Sequence, residues 1–181
     1  MFEVTVPATE LYDEAENLFI PVKETKLRLE HSLVSVSKWE AKWNVPFLSK
    51  ASHNIEQTLD YIRCMTLSQN VDLNVYKAIN NDIYNKILEY INAPMTATTF
   101  NEVGQARKSP GHVVTSELIY YWMIANQIPM ECQKWHLNRL LTLIRICDIK
   151  NTPAKKMSKT AVRNQFSSLN AARRKALNSK G

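Results

Sequence analysis

The N-terminal part of the chain contains short stretches in which apolar and polar side chains alternate, the spacing typical of β-strands. The alternation is clear in residues 2–6, and residues 18–22 and 26–30 have a similar extended pattern. Residues 13–17 are acidic and polar, which predicts a turn. We therefore predict a small β-ribbon over residues 1–31. It must pack on the rest of the chain or pair with another chain, because an isolated ribbon is only marginally stable.

Beyond the ribbon, apolar positions recur every three or four residues, the spacing of amphipathic helices. This spacing predicts helices over residues 32–43, from Ser52 onward, and over residues 80–91. Their apolar stripes are Leu33, Val36, Trp39 and Trp43 in the first helix, Ile55, Leu59, Ile62 and Met65 in the second, and Ile83, Ile87, Tyr90 and Ile91 in the third. Residues 96–111 mix Thr, Asn, Gly and Pro, so they form the longest predicted loop.

Two segments after this loop are apolar on nearly every side, which is typical of helices at the centre of a fold. The first covers residues 115–126. The second begins at Pro129, which suits the first turn of a helix, and ends near Ile149. Because residues 127–128 form only a short link, we predict a central antiparallel helical hairpin.

Four side chains in these helices are candidate partner contacts. Arg139 and Arg145 lie on a narrow polar strip of the second apolar segment, which is either a solvated edge or a polar seam in a subunit interface. Trp39 and Trp43 lie one helical turn apart. They are either a base-stacking platform for nucleic acid or, as is more common, core or interface packing.

The positive charge is concentrated at the C-terminal end. Residues 150–181 hold nine of the 23 basic residues and no acidic one, which leaves 14 basic and 17 acidic residues elsewhere and a net charge of −3 there. We therefore divide the chain after the ribbon into a helical core domain, residues 32–152, and a basic arm, residues 153–181. A helix over residues 159–178, capped by Ser158, is predicted in the arm.

The basic arm has three open interpretations. It binds nucleic acid through phosphates, it binds an acidic protein, or it is a solubilising tail. Its candidate contacts are Lys155, Lys156, Arg163, Arg173, Arg174 and Lys175. Its apolar stripe is thin and consists of Val162, Phe166, Leu169, Ala172 and Ala176. A helix with so few apolar residues docks weakly or folds only on a partner.

The composition favours a mainly α protein. The chain has 181 residues, 45% of them hydrophobic, and only three glycines, whereas β-sandwiches and phosphate-binding loops need glycine for their turns. Three widely spaced cysteines indicate a reducing cytoplasm and not a disulfide framework. The first residues lack the pattern of a signal peptide. The longest apolar run, residues 118–125, is far shorter than the ~20 residues of a membrane span.

The sequence contains no catalytic signature. Cys132 and His136 have a spacing that metals use on a helix, but the other histidines are scattered, so we interpret the pair as a buried thiol and a helix-surface histidine. Cys64 and Cys147 lie on apolar faces, where thiols are inert. The motifs of phosphate-binding loops, serine nucleophiles and zinc proteases are missing from the sequence. We therefore predict a protein that is not an enzyme and that has no metal and no cofactor.

Several stretches carry a resemblance to a known group of proteins. They are residues 30–40 (EHSLVSVSKWE), 94–99 (PMTATT), 116–123 (SELIYYWM), 134–144 (KWHLNRLLTLI), and a closing segment from 155–158 (KKMS) to 169–175 (LNAARRK). In these stretches the chain resembles a protein encoded among the tail genes of long-tailed bacteriophages, and the resemblance covers most of its length. It implies a tail assembly chaperone or another tail-morphogenesis protein. Such chaperones are small, helical and non-enzymatic, and they coat the tape-measure protein before the tail tube polymerises around it.

The sequence thus predicts a mainly α protein with a central helical hairpin, an N-terminal β-ribbon and a basic C-terminal helical arm. We expect it to act in the host bacterial cytoplasm, to form a homo-oligomer and to bind the tape-measure or another tail protein. No membrane partner is expected. The alternatives are a structural virion protein of the tail, baseplate or head–tail joint, and a nucleic-acid-binding module that uses the arm.

Overall fold

The computed structural model describes residues 1–14, 17–49, 53–100, 113–151 and 159–177; the side chains of residues 159, 161, 162, 165 and 175 lie outside this description. The chain divides into two compact units, Met1–Asp148 and Ile149–Gly181.

The strands are β1 (Phe2–Val6), β2 (Thr9–Asp13), β3 (Leu18–Val22) and β4 (Thr25–Leu29). The helices are α1 (Leu33–Trp43), α2 (Ile55–Met65), α3 (Leu73–Lys77), α4 (Asn81–Asn92), α5 (Ser116–Ala125), a 3-10 helix (Met130–Lys134), α6 (Leu137–Asn151) and α7 (Lys159–Ala176). The predicted class, mostly helical with a small N-terminal β region, is confirmed.

The N-terminal strands form two antiparallel pairs, β1 with β4 and β2 with β3. In the first pair Val4 lies opposite Leu27, and both side chains are buried, as are the next residues on the same face, Val6 and Leu29. Strand β2 was not predicted, and Asp13, assigned to the turn, is its last residue. Its burial is low, so its sequence lacks the apolar alternation that identified β1.

The ribbon packs on the helical body through the outer edge of β4. The backbone N–H of Glu30 donates to the Met65 carbonyl at 2.9 Å, and the N–H of Leu67 donates to the Arg28 carbonyl at 2.7 Å. The chain that leaves α2 therefore covers an edge that would otherwise be open to pairing with another strand.

Helix α1 crosses the centre of the first unit. It starts at Ser32, whose hydroxyl caps the helix with Ser35 in a capping box, and it ends at Asn44 in a left-handed conformation that asparagine tolerates. Leu33 and Val36 on its inner face are fully buried. The predicted start and end of this helix are confirmed to within a residue.

A buried glutamate on α1 ties two distant segments to the helix. Glu40 is 7% exposed. Its two carboxyl oxygens accept the backbone N–H groups of Phe47 at 2.8 Å and Ser116 at 2.7 Å. Because Ser116 is the first residue of α5, this contact fixes where α5 begins.

Replacing Glu40 by alanine should therefore lower the free energy of unfolding by about 2–3 kcal/mol, because the buried N–H of Ser116 and the partly buried N–H of Phe47 lose their acceptor. Chemical denaturation measures the loss. The exposed Glu89 on α4, changed to alanine, is the control and should have an effect below about 0.5 kcal/mol. A loss at Glu40 no larger than at Glu89 would show that the two contacts contribute nothing.

The middle helices agree only partly with the sequence pattern. Helix α4 is confirmed, with Asn80 as its cap and Ile83, Ile87 and Tyr90 buried. Helix α2 is capped by Asn54, whereas Ser52, the predicted cap, lies outside the described residues. Ile55 was assigned to the buried stripe of α2, but its side chain is 82% exposed. The short helix α3 was not predicted.

The second half of the predicted hairpin is wrong in its boundaries. No single helix runs from Pro129 to residue 149. Gln127 has a positive φ of 53°, a 3-10 helix follows Pro129, and α6 begins at Leu137. The Leu137 N–H donates to the His31 carbonyl at 2.7 Å, so a tertiary contact sets this start. Within the described residues, no helix has the length and apolar character needed to span a bilayer.

Candidate partner-binding surface

Trp39, a candidate partner contact, is a core residue. Its side chain is 0% exposed, and its indole N–H donates to the Gln57 carbonyl at 2.8 Å. The rings of Phe47 and His53 pack edge-on against it, with centroids 5.3 and 4.8 Å away. A fully buried ring offers no surface to a partner or to a nucleobase, so the assignment of Trp39 to a partner surface is corrected.

Trp43, one turn later, is half-buried. Its indole N–H donates to Asp60 Oδ2 at 2.9 Å, and Asp60 also forms an ion pair with Lys42 at 2.6 Å. The two tryptophan rings are 6.4 Å apart and tilted by 34°, so they do not form a flat stacking platform. Trp43 mainly joins α1 to α2.

Arg139 and Arg145 are exposed, but each guanidinium lies over an aromatic ring. Arg139 is 4.3 Å from the ring centroid of Trp135, and Arg145 is 4.0 Å from that of Phe100. Such cation–π contacts are worth about 0.5–1 kcal/mol at exposed sites. Both arginines are thus held against the surface of the first unit, with part of each side chain open to solvent.

Cys132 and His136 do not share a helix, which corrects the sequence-based placement. Cys132 is buried in the 3-10 helix, and His136 precedes α6 and is also buried, so it is not a helix-surface residue. His136 Nδ1 accepts the N–H of Asn138 at 3.3 Å, so Nε2 carries the proton and donates to the Tyr90 carbonyl at 3.0 Å. Among the described residues, no group of three His, Cys, Asp or Glu side chains could hold a metal ion.

His136 belongs to a buried polar cluster with His31. The two imidazole rings are 5.0 Å apart, and His31 Nδ1 is 2.5 Å from the hydroxyl of Tyr61. Burial, and to a lesser degree the neighbouring His136, lowers the pKa of His31 from 6.5 to about 3. Burial also lowers the pKa of His136, although its hydrogen bond to Tyr90 opposes this. Burial raises the pKa of Tyr61 far above its usual 10.

The cluster therefore consists of neutral groups at neutral pH. A glutamate closes one side of it: Tyr90 donates its hydroxyl proton to Glu30 Oε1 at 2.7 Å. The histidines are 2% and 6% exposed, which leaves no room for a substrate beside them. These side chains join β4, α2, α4 and the start of α6, and we interpret the cluster as structural.

One exposed apolar surface of the first unit lies on α5. Its inner residues Ser116, Ile119 and Met123 are buried. On the outer side Tyr121 is 63% and Ile124 67% exposed. The apolar pattern of this helix predicted a position at the centre of the fold, which is wrong for its outer side. A helix that is apolar all round also results when one face packs inward and the other is left for a partner.

The helix that presents this outer face is firmly anchored. At its start the N–H of Ser116 is held by Glu40. In its middle the Tyr120 hydroxyl donates to Gln133 Oε1 at 2.9 Å, and beyond its end Asn126 Nδ2 donates to Asp148 Oδ1 at 3.1 Å. The outer face therefore sits on a rigid element, which favours its use as a binding surface.

Two other surfaces of the first unit are partly apolar. Strands β2 and β3 place Tyr12 and Phe19 opposite each other, with ring centroids 5.1 Å apart and more than half of each side chain exposed. A groove of about 270 Å³ is lined by His53, Ile55, Thr58, Leu59, Ile79, Asn81 and Tyr84. Among the described residues its lining is mostly apolar and neutral polar and contains no Asp, Glu, Lys or Arg, so it offers mainly shape and apolar contact.

The arm residues fall in the second unit. The side chains of Arg163, Arg173 and Arg174 on α7 are exposed. Lys155 and Lys156 lie outside the described residues, as do the Ser158 cap and the side chain of Lys175. The predicted helix of the arm agrees closely with α7, and its Phe166 and Leu169 are 60% and 46% exposed.

Comparison with known proteins adds no relative: no family, no curated protein and no solved structure matches this chain. The functional proposals below are therefore based on the chain's own sequence and surface.

Proposed function

We propose that this chain is a non-enzymatic assembly chaperone of a long-tailed bacteriophage, which holds the tape-measure protein in the host cytoplasm during tail assembly. The observation that supports this most is the outer face of α5, where Tyr121 and Ile124 are exposed on an anchored helix. Val113 before the helix and Met130 after it are also about half exposed. Tyr121 and Ile124 lie one turn apart on the same side of α5, and this exposed apolar pair is the surface on which the proposal is based.

The surface fits a helical client. An amphipathic helix binds by laying apolar side chains, three or four residues apart, on an apolar surface of its partner. Tyr121 and Ile124 have this spacing on α5 itself. When the chaperone binds a long apolar client, it lowers by mass action the concentration of free client that can aggregate. No chemical step is needed.

The proposal does not depend on the predicted central hairpin of α5 and α6. The contact between Asn126 and Asp148 joins the end of α5 to the last turns of α6, whereas in an antiparallel hairpin the end of α5 would lie at the start of α6. The stretch of residues 116–123, on which the resemblance to phage tail proteins partly rests, forms α5 and includes Tyr121. The proposed surface therefore lies on a stretch that carries the resemblance.

Changing Tyr121 and Ile124 together to serine should weaken capture of the tape-measure protein at least about tenfold, since two apolar anchors leave the interface. The fold should be retained, because exposed substitutions typically change stability by less than about 0.5 kcal/mol each. Co-expression and pull-down with the tape-measure protein, quantified by titration, measures the effect.

The matched control is Ile55 changed to serine, since this isoleucine is exposed on a different helix. It should leave capture unchanged. Equal capture by the α5 variant and the unaltered protein would place the client elsewhere. Failure of the unaltered protein to bind any tape-measure segment would reject the chaperone proposal itself.

The first alternative to the chaperone is a structural virion protein of the tail, baseplate or head–tail joint. The resemblance to phage tail proteins is compatible with it as well. The exposed Tyr12 and Phe19 of the β2–β3 ribbon favour self-association, which a permanent particle component and a homo-oligomeric chaperone both need. Mass spectrometry of purified particles separates the two. The chaperone should be missing from mature virions, and stoichiometric amounts in them would favour the structural protein.

A nucleic-acid-binding module is the second alternative. The exposed arginines of α7 and the lack of any acidic residue in residues 150–181 favour it. Such binding would weaken steeply as salt rises, whereas an apolar surface on α5 would retain its client.

A further inference from the structure

The helix of the second unit distributes its side chains in an unusual way. Arg163, Phe166, Asn170, Arg173 and Leu177 follow one another at spacings of three and four residues, so they lie along one side of the helix. Leu169 lies beside this row, and Arg174 flanks it on the other side. We call this row with its two flanking residues the mixed face of α7.

The opposite side of α7 is less charged. Asn164, Ser168 and Ala171 follow the same spacing there and are uncharged, and Lys175 is the one cation that continues their row in the sequence. The three arginines and the large apolar residues Phe166, Leu169 and Leu177 therefore share one face. In an ordinary solvated helix the charged residues lie opposite the apolar stripe.

The mixed face is open to solvent. Phe166 is 60%, Leu169 46% and Leu177 76% exposed, and the arginines of the face are exposed as well. A helix of 18 residues with its apolar side chains in water is only marginally stable on its own. A partner that covers these side chains would stabilise it.

We propose that the mixed face of α7 is a docking site for an acidic, amphipathic helical segment of another protein. Charge complementarity argues for the acidic part, because residues 150–181 hold nine cations and no anion. The apolar part follows from Phe166, Leu169 and Leu177, which need apolar contact on the same partner surface. The site is separate from α5, and the proposal does not depend on the identity of the client.

Two other anionic partners fit the mixed face less well. Nucleic acid presents phosphates and stacked bases. Leu169 and Leu177 would then lie against phosphates, and only Phe166 among the described side chains of α7 could stack on a base. Helices that lie on an anionic membrane place cations on the face opposite the apolar one. On α7 the arginines and the large apolar residues share one face. The helix therefore cannot bury its apolar residues in a membrane without burying its arginines too.

The test uses the full chain and three labelled probes. The first probe is a synthetic helical peptide with a leucine stripe flanked by glutamates; a peptide of the same composition in scrambled order is its control. The second is a short DNA duplex, and the third is a vesicle of mixed zwitterionic and anionic lipids. Fluorescence anisotropy at about 150 mM salt, where long-range attraction is largely screened, gives the affinities. The ordered peptide should bind at least about tenfold more tightly than the scrambled one.

Two variants of the mixed face should weaken peptide binding by at least about tenfold each. One changes Phe166 and Leu177 to serine, which removes apolar contact. The other changes Arg163 and Arg173 to glutamine, which removes charge. The matched control changes Lys86 and Lys134, exposed lysines of the first unit, to glutamine; it removes the same charge and should leave peptide binding unchanged.

Each other outcome rejects the proposal. Tighter binding to DNA than to the ordered peptide, insensitive to the loss of Phe166 and Leu177, would show a nucleic-acid site. Preference for the vesicle would show a membrane site. Equal loss in the lysine control would show non-specific charge attraction, and no binding to any probe would leave the arm a solubilising segment. Helicity measured by circular dichroism in each variant detects a helix that has simply melted.

Discussion

Replacing Trp39 by alanine should lower the free energy of unfolding by about 3–5 kcal/mol. The side chain is fully buried, and it contacts Phe47 and His53 from the loop between α1 and α2. Truncation leaves a large cavity, and the Gln57 carbonyl loses its donor. For a domain whose total stability is typically 5–15 kcal/mol, the loss brings the fold close to its limit.

Equilibrium denaturation by urea measures this loss through the midpoint at an unchanged slope. Trp43 changed to alanine is the internal control, since the same residue type lies one turn away on the same helix. It is half-buried, so its loss should be about 1–2 kcal/mol and clearly smaller than that of Trp39. Equal losses at the two positions would contradict the assignment of Trp39 to the centre of the core.

The comparison of these two tryptophans shows what the sequence pattern can and cannot resolve. Their spacing places both on the apolar side of α1, and the predicted bounds of this helix agree with the structure to within a residue. Which tryptophan is fully covered depends on the loop that brings Phe47 and His53 back over the helix. That loop has no periodicity, so no local pattern contains the answer.

The predicted central position of α5 was wrong for a different reason. Its apolar residues surround the helix, and such a pattern fits both a central helix and one with an inner core face and an outer binding face. Exposure of Tyr121 and Ile124 distinguishes the two, and exposure depends on which elements pack nearby. The candidate binding surface was thus inside a correctly predicted element but could not be identified as a surface.

The buried histidines were the part that sequence reasoning missed. His31 and His136 are more than 100 residues apart, and each lies in a short segment between regular elements. They meet because the end of β4 and the start of α6 pair at Ser32 and His136. No local pattern in the sequence marks either histidine as buried, and the stretch around His31 was used only for the resemblance.

These two histidines should make the protein sensitive to mild acid. In the folded state burial lowers the pKa of His31 from 6.5 to about 3, and burial lowers that of His136 as well. As the pH falls through 6.5, the unfolded chain takes up protons on both histidines, whereas the folded chain takes them up only at lower pH. The free energy of unfolding is therefore highest above pH 6.5 and decreases as the pH falls towards the folded pKa values.

The expected decrease is large. Each histidine that stays neutral in the folded state contributes a slope of up to about 1.4 kcal/mol per pH unit. Between pH 6.5 and 4.5 His31 alone should remove about 2–3 kcal/mol, and His136 should add to this decrease. Glu3 and Glu117, whose pKa values are lowered from 4.5 in the folded state, also contribute at the acidic end of this range, so the contribution of His31 is taken from the difference between the unaltered protein and a His31 variant.

Urea denaturation at a series of pH values between 4.5 and 7.5 measures the slope. The unaltered protein should take up between one and two protons on unfolding near pH 5, and changing His31 to glutamine should remove about one of them. His53, changed to glutamine, is the control for the loss of a histidine outside the cluster. A slope near pH 5 that is the same in the His31 variant and the unaltered protein would show that His31 titrates normally when folded. The assignment of His31 and His136 as a neutral buried pair would then be wrong, even though their rings meet.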